Sequence, residues 1–400
     1  MHRTPCAPMA RGLSSPGRLP IGVLVRARLL PLLVAAFIVL EGCASAAAAS
    51  APRRPLPVAE LLLVGFHGSE VAGNDDLRAL ICDVKVGGVI LFERDVATRT
   101  PRNVVSAEQV AKLTADLQAL ARQCAGRPLL IATDGEGGAV MRLSTRAGYL
   151  SSPSHQELGD AGDLALTELE AMRMGARLRE AGINWNLAPV VDVAVNPTNP
   201  AVVNLGRTFG SDPDLVTAHA RAFIAGMHAA GVLTCLKHFP GHGSSRVDSH
   251  HGFTDISDTA DRERELAPYR ALVKAGLADS VMPGHVFNRH IDPWYPASLS
   301  RFTVNRLLRS RLGFKGLVVS DDLLMNAVTH RYGVEEASIL ALGAGVDVLL
   351  ISQNTVKREA RATERVVAAI RQALAQGRLS AKTVTAALQR LEAFRARVKW

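Results

Sequence analysis

Val232-Leu233-Thr234-Cys235-Leu236-Lys237-His238-Phe239-Pro240-Gly241-His242-Gly243 is the stretch from which the fold is read. Its first half is an apolar run of strand length that ends in Lys237 and His238. Pro240, Gly241 and Gly243 then forbid a regular helix, so the polar groups that follow belong to a loop with fixed bends. A helical pattern over Asp214–Ala230 precedes the run and another over Asp261–Gly276 follows it. Strand, loop and helix form one repeating unit, with polar residues at the C-terminal end of the strand.

The same unit recurs along the chain. Strand-like runs lie at Leu61–Phe66, Gly88–Phe92, Leu129–Asp134, Ile183–Val190, Val232–His238, Ser280–His285, Leu317–Asp322 and Val346–Ile351. Further helical patterns fall at Ala107–Cys124, Leu164–Ala181 and Val334–Gly343. Eight strand–helix alternations predict an α/β fold, a single (β/α)8 TIM-type barrel, for which about 250 residues plus insertions is the usual size. A doubly wound open sheet is the alternative. It would carry a Gly-rich phosphate loop after its first strand, and Gly65-Phe66-His67-Gly68 is not one. Residues 358–399 read as two helical stretches that complete the outer layer.

Before residue 58 the character differs. Arg3, Arg11, Arg18, Arg26 and Arg28 precede an apolar run, Leu29–Leu40, then Glu41, Gly42, Cys43 and an alanine-rich stretch. This is the order of a secretory signal, and the apolar run is short for a membrane span. Leu40-Glu41-Gly42-Cys43 also resembles a bacterial lipobox, which would lipidate Cys43. The expected organisation is a leader over 1–43, a tether over 44–57 and one catalytic domain over 58–400. Export to the periplasm, or anchoring as a membrane lipoprotein, follows from it. A monomer is expected.

The net charge of +9 owes much to the leader, and no basic run with interleaved aromatics occurs, so nucleic acid is not an expected partner. Of five cysteines, Cys6 and Cys43 lie in the leader. Cys82, Cys124 and Cys235 make neither a disulfide framework nor a zinc motif. Cys82 and Cys124 could pair in an oxidising compartment; buried free thiols are the expectation.

Chemistry-bearing residues gather at the proposed strand ends: Asp134 after the third, Asp192 and Arg207 after the fourth, Lys237 and His238 at the fifth, His285 at the sixth, and Asp321 with Asp322 at the seventh. In a barrel that face forms the active site. Asp248 and His250 stand two apart on a turning backbone, so the carboxylate can orient the imidazole as a proton donor and acceptor. His251 competes for that role. One of the two aspartates after Ser320 can equally cap the next helix. Pro240-Gly241 denies His238 and His242 the shared helical face of a zinc-protease motif. A loop site of His238, His242, His250 and Asp321 is the metal alternative, with spacing and partners that match no familiar site. No metal or cofactor is expected.

Taken together, Lys237–Gly243 with Val247-Asp248-Ser249-His250, and Leu312–Asp322, resemble glycoside hydrolase family 3, specifically its single-domain bacterial β-N-acetylhexosaminidases. Asn186–Asp192, Gly206–Gly210 and Pro296–Ser300 support the resemblance. It implies Asp321 as the nucleophile of a retaining mechanism and His250, oriented by Asp248, as general acid and then base. It implies Asp134, Arg207, Lys237 and His238 as residues holding the terminal sugar, with Asp192 and His285 in the same neighbourhood. The implied substrate is a glycan ending in non-reducing N-acetylglucosamine, such as a peptidoglycan fragment. Family β-glucosidases usually place their acid/base carboxylate in a second domain, for which this chain has no room. Departures are Gly135 and Ala139, where relatives carry glutamine and arginine, Ser244-Ser245 in place of Asp-Thr, and Pro283-Gly284 before His285. Competing readings are a phosphorylase working through the same intermediate, a broader β-glycosidase, and a non-catalytic cell-wall glycan-binding lipoprotein.

Overall fold

The computed structural model describes residues 55–356, 359 and 361–400. The expected leader, Cys43 and most of the tether lie outside the described residues. Among the described residues eight parallel strands form a barrel: β1 Leu62–Gly65, β2 Gly88–Ile90, β3 Leu130–Thr133, β4 Trp185–Asn186, β5 Cys235–Phe239, β6 Ser280–Pro283, β7 Leu317–Val318 and β8 Leu349–Ile351. They pair in the order β8-β1-β2-β3-β4 and β5-β6-β7. Single parallel bridges close the two seams, Trp185–Leu233 and Val190–Lys237 on one side, Val319–Val348 on the other. The predicted (β/α)8 barrel is therefore the observed fold.

Why these segments become strands follows from burial on both faces. Every residue of β1, β3, β5 and β6 is buried, as parallel strands require when helices cover one side and packed side chains the other. Trp185 fills the interior; its Nε1 donates to Ser280 Oγ at 3.0 Å, and that hydroxyl donates to Thr234 O at 2.7 Å. A large ring thus enters the core without leaving its N–H unpaired. The strands are shorter than their apolar runs, which continue into buried but irregular backbone.

Side chains start the outer helices. Ser106, Asp163, Asp212 and Asp261 cap the helices Ala107–Ala125, Leu164–Glu180, Pro213–Ala229 and Arg262–Lys274, each accepting from a backbone N–H of the first turn. The helical pattern seen at Val334–Gly343 belongs to a longer helix, Asn326–Ala344, bent where Gly333 takes φ 66°. Ala362–Ala375 and Ala381–Arg395 complete the layer.

The C-terminal segment also braces the barrel floor. Arg390 Nε meets the fully buried Asp347 at 2.8 Å, and Arg395 Nη1 meets Glu60 at 2.9 Å. Arg397 reaches Asp279, which also accepts from Thr234 N and Oγ and bonds His228 Nε2 at 2.7 Å.

One expectation is corrected. Cys82 and Cys124, expected as free thiols, form a disulfide across a Cα–Cα distance of 4.8 Å. The short helical turn Leu80–Val84 packs against the end of Ala107–Ala125, a juxtaposition that sequence spacing does not reveal. Cys235 is free and buried; burial pushes its thiol up to about 12, which makes it inert.

Candidate active site

A cavity of about 400 Å³ opens at the C-terminal ends of the strands. Asp134, Arg207, Lys237, His238, Asp248, His250 and Asp321 all line it. The structure therefore brings together residues spread over nearly two hundred positions. Asp192 and His285, also expected at the site, are fully buried and stand behind the wall.

One side of the cavity is a charged array built on β3 and β5. Asp134 follows β3, and Lys237 lies within β5 with Nζ 2.9 Å from Asp134 and 2.7 Å from Glu136. Arg207 grips Glu136 through Nε and Nη2, both at 2.8 Å, and donates from Nη1 to Ala201 O at 2.9 Å. Arg142, immediately after the hairpin strand Val140–Met141, reaches Asp134 at 3.3 Å. With alanine at position 139, Arg142 is the hairpin cation that meets this carboxylate. Burial alone would raise Asp134 and Glu136, but Lys237, Arg142 and Arg207 outweigh it and both are lowered. Burial would lower Lys237, and the two carboxylates raise it instead. The array is a fixed set of charges with donors facing the cavity, suited to hydroxyl groups.

Glu136 and Arg142 were missed in the sequence reading. Glu136 stands two residues after Asp134, in Thr133-Asp134-Gly135-Glu136-Gly137-Gly138. On a short strand those positions share a side, a signal that could have found it.

Behind the array Asp192 organises β5. It accepts from His238 N, from His242 N at 2.8 Å and from His238 Nδ1 at 2.7 Å. Arg207 Nη2 lies 3.4 Å from His238 Nε2. A guanidinium can only donate, so Nε2 accepts and Nδ1 carries the proton to Asp192. Asp192 is thus a positioning group for His238. His285 plays a similar part for the seventh strand end, bonding Ser298 Oγ at 2.6 Å and Asp322 O at 2.8 Å.

The two aspartates after β7 take different tasks. Asp322 turns toward Ser352, whose Oγ lies 2.5 Å away and whose N–H it also accepts. Burial raises it. Asp321 accepts only the N–H of Asp322, at 2.8 Å, among the described residues. Burial would push Asp321 up; the imidazoles of His285, His238 and His250 outweigh it, so the carboxyl is lowered and stays ionised. One carboxylate is spent on the backbone, the other is left facing the cavity.

Across from it the loop after β5 presents the Asp248–His250 pair. His250 Nδ1 lies 2.7 Å from Asp248 Oδ1, which also accepts the His250 N–H at 2.9 Å. His251 lines the cavity and has no such partner among the described residues. The Asp248 hydrogen bond raises His250 above an ordinary imidazole and outweighs burial. Asp248 is lowered, burial being overcome by the His250 bonds. The site combines an ionised carboxylate, an oriented imidazole and a cluster of fixed donors.

A family model described as Glycosyl hydrolase family 3 N terminal domain matches residues 56–394. The chain is 38% identical over 309 residues to the β-hexosaminidase of Stenotrophomonas maltophilia (strain R551-3), spanning 75% of this chain and 85% of that one. It is 38% identical over 304 residues to the β-hexosaminidase of Tolumonas auensis, covering 73% and 83%. Among solved structures, the β-N-acetylhexosaminidase of Beutenbergia cavernae DSM 12333 superposes with a TM-score of 0.72 at 34% identity, over 85% of this chain and 97% of that one. The family 3 β-N-acetylglucosaminidase of Paenibacillus sp. str. FPU-7 gives 0.77 at 38% identity, over 85% of this chain and 62% of that one, so this chain spans less than two thirds of its length.

Proposed function

This chain belongs to glycosyl hydrolase family 3, and on that premise we propose that it is a retaining β-N-acetylhexosaminidase. Its substrate is a glycan ending in non-reducing β-linked N-acetylglucosamine, as in a peptidoglycan fragment. The observation that carries this reading is the shared cavity of Asp321, an ionised carboxylate without a side-chain partner among the described residues, and the Asp248–His250 pair.

In the first step the Asp321 carboxylate attacks the anomeric carbon. The imidazolium of His250 gives its proton to the departing oxygen, and a glycosyl ester forms on Asp321. In the second step neutral His250 takes a proton from water, whose oxygen attacks the same carbon and frees Asp321. Two displacements at one carbon leave its configuration unchanged. Retaining glycosidases usually pair two carboxyl groups about 5–5.5 Å apart; here an imidazole replaces one. Asp134, Lys237, Arg207 and Arg142 supply donors and acceptors for the sugar hydroxyls.

The leader pattern supports export, and the Cys82–Cys124 bond suits an oxidising compartment. Within this reading Cys43 is the residue for lipid attachment.

The direct test offers chromogenic β-N-acetylglucosaminide and β-glucoside side by side and follows the anomeric form of the first product by NMR. Release from the former, with β-sugar appearing first, is expected. Preference for the glucoside, or α-sugar first, overturns the proposal.

A further inference from the structure

The dyad rides on a turn, residues 246–252, whose two flanks are fixed by different means. Upstream, Asn199 Nδ2 donates to His242 O at 2.7 Å, Asn196 Nδ2 to Ser245 O at 2.8 Å, and Ser244 N to Glu265 at 3.1 Å. Gly243 lies so close to the segment after Asp192 that a Cβ there would stand 1.7 Å from Val193 O. Downstream, Thr254–Asp255 pairs in parallel with Val286–Phe287. Between these anchors Arg246, Val247, His250 and His251 are exposed, the His250 side chain to 58%.

Ser249 is the exception. It is 2% exposed, and its Oγ lies 3.0 Å from His242 Nε2. Among the described residues that is the one hydrogen bond joining 246–251 to the scaffold; the others lie within the turn.

Hydrogen-bond bookkeeping fixes its direction. Ser245 Oγ donates its single proton to His242 O at 2.7 Å. Towards His242 Nδ1, 2.5 Å away, it can therefore only accept, so Nδ1 carries the ring proton. Nε2 is then the bare nitrogen, and Ser249 donates to it. Burial and the neighbouring His238 push His242 down to about 4, which keeps the ring in this neutral form.

We propose that the Ser249–His242 hydrogen bond is the latch that sets the dyad in the cavity, with both residues acting as positioning groups for His250. This inference rests on the reading of His250 as the proton donor. Ser249 stands between Asp248 and His250 in the chain, so its anchor fixes the place of both while leaving their side chains free to face substrate. The imidazole of His242 is held in turn by the backbone bond to Asp192 that organises β5. Sugar-binding strand and proton-donating turn therefore share one support.

The test uses leaving groups of different basicity. Positioned proton transfer supplies about 100- to 10,000-fold where the leaving oxygen needs a proton and little where it does not. Ser249→Ala is expected to lose about tenfold or more in kcat/KM on a phenyl β-N-acetylglucosaminide and under about twofold on the dinitrophenyl glycoside. Ser249→Thr, which keeps the hydroxyl, restores the phenyl substrate. His242→Asn combined with Ser249→Ala loses no more than the worse single variant, as two partners in one bond must. Equal losses on both glycosides, additive losses in the double variant, or no loss at all in an active protein overturn the latch alone. A wild-type chain inactive on both glycosides overturns the hydrolase reading and the latch with it.

Discussion

The guanidinium of Arg207 lies against the carboxylate of Glu136 with two parallel bonds of 2.8 Å, and both groups are buried. Neither is free to rearrange, so in the proposed reading the wall that meets the sugar hydroxyls is preorganised. Lysine could not reproduce the paired bonds. Glu136→Gln leaves Arg207 and Lys237 with one carboxylate between them. Breaking a buried pair costs about 3–5 kcal/mol. A lower melting temperature and a raised KM are expected for Glu136→Gln, by calorimetry and steady-state kinetics.

Asp321→Asn removes the carboxylate at the β7 end that has no side-chain partner among the described residues, while keeping its shape. Under the proposed mechanism turnover should fall by about a thousandfold or more, because the glycosyl ester on Asp321 could not form. Binding of N-acetylglucosamine, by titration calorimetry, should persist on the unchanged array. Retained turnover would remove Asp321 from the role of nucleophile.

The pH profile should report the dyad. In the proposed mechanism His250 must be protonated to serve as acid; Asp248 raises it, so activity is expected to extend to higher pH. In Asp248→Asn the acceptor is weaker, His250 loses its proton earlier, and the alkaline limb of kcat/KM moves to lower pH. Asp321 is lowered, so the acid limb of the wild type lies below the ordinary carboxylate range. An alkaline limb unmoved in the variant would separate Asp248 from the proton donor.

Asp279 links the floor of the barrel to pH. It is lowered, since His228, Arg397 and Thr234 outweigh burial. A lowered carboxyl contributes stability that is present above its unfolded value, about 3.9, and lost as pH falls through the folded one. Asp279→Asn should therefore be less stable at neutral pH by about 3–5 kcal/mol. The gap to wild type, followed by urea unfolding, should narrow as pH drops below about 4.

The disulfide closes a loop of 42 residues, for which about 2–4 kcal/mol is typical. It sits where Leu80–Val84 precedes β2, at the end of the barrel away from the cavity. Cys82→Ser should lower the melting temperature and leave kcat at moderate temperature unchanged. A matching loss of kcat would mean the bond shapes the site.

Much of this was legible in the sequence for a physical reason. Parallel strands buried on both faces must read as apolar runs, and their ends must expose whatever polar residues the site uses. Asp134, Lys237 and Asp321 stand out by that rule. Depth was not legible. Nothing in the sequence around Asp192 or His285 separates a side chain lining a cavity from one supporting its wall, because that difference lies in partners far along the chain. The same holds for Cys82 with Cys124 and for Ser249 with His242. Pairings as short as Thr254–Asp255 with Val286–Phe287 carry no periodicity to detect.

The register Leu62–Leu349 joins the first and last strands of the barrel. Among the described residues it is the strand pairing of greatest sequence separation, and so the costliest pairing to reach from an unfolded chain. It is expected to close last. Until it forms, β1 and β8 each present a bare edge, the kind of surface through which incomplete barrels find one another. Refolding yield for this protein should depend more on chain concentration than on the strength of any single interaction in the finished molecule.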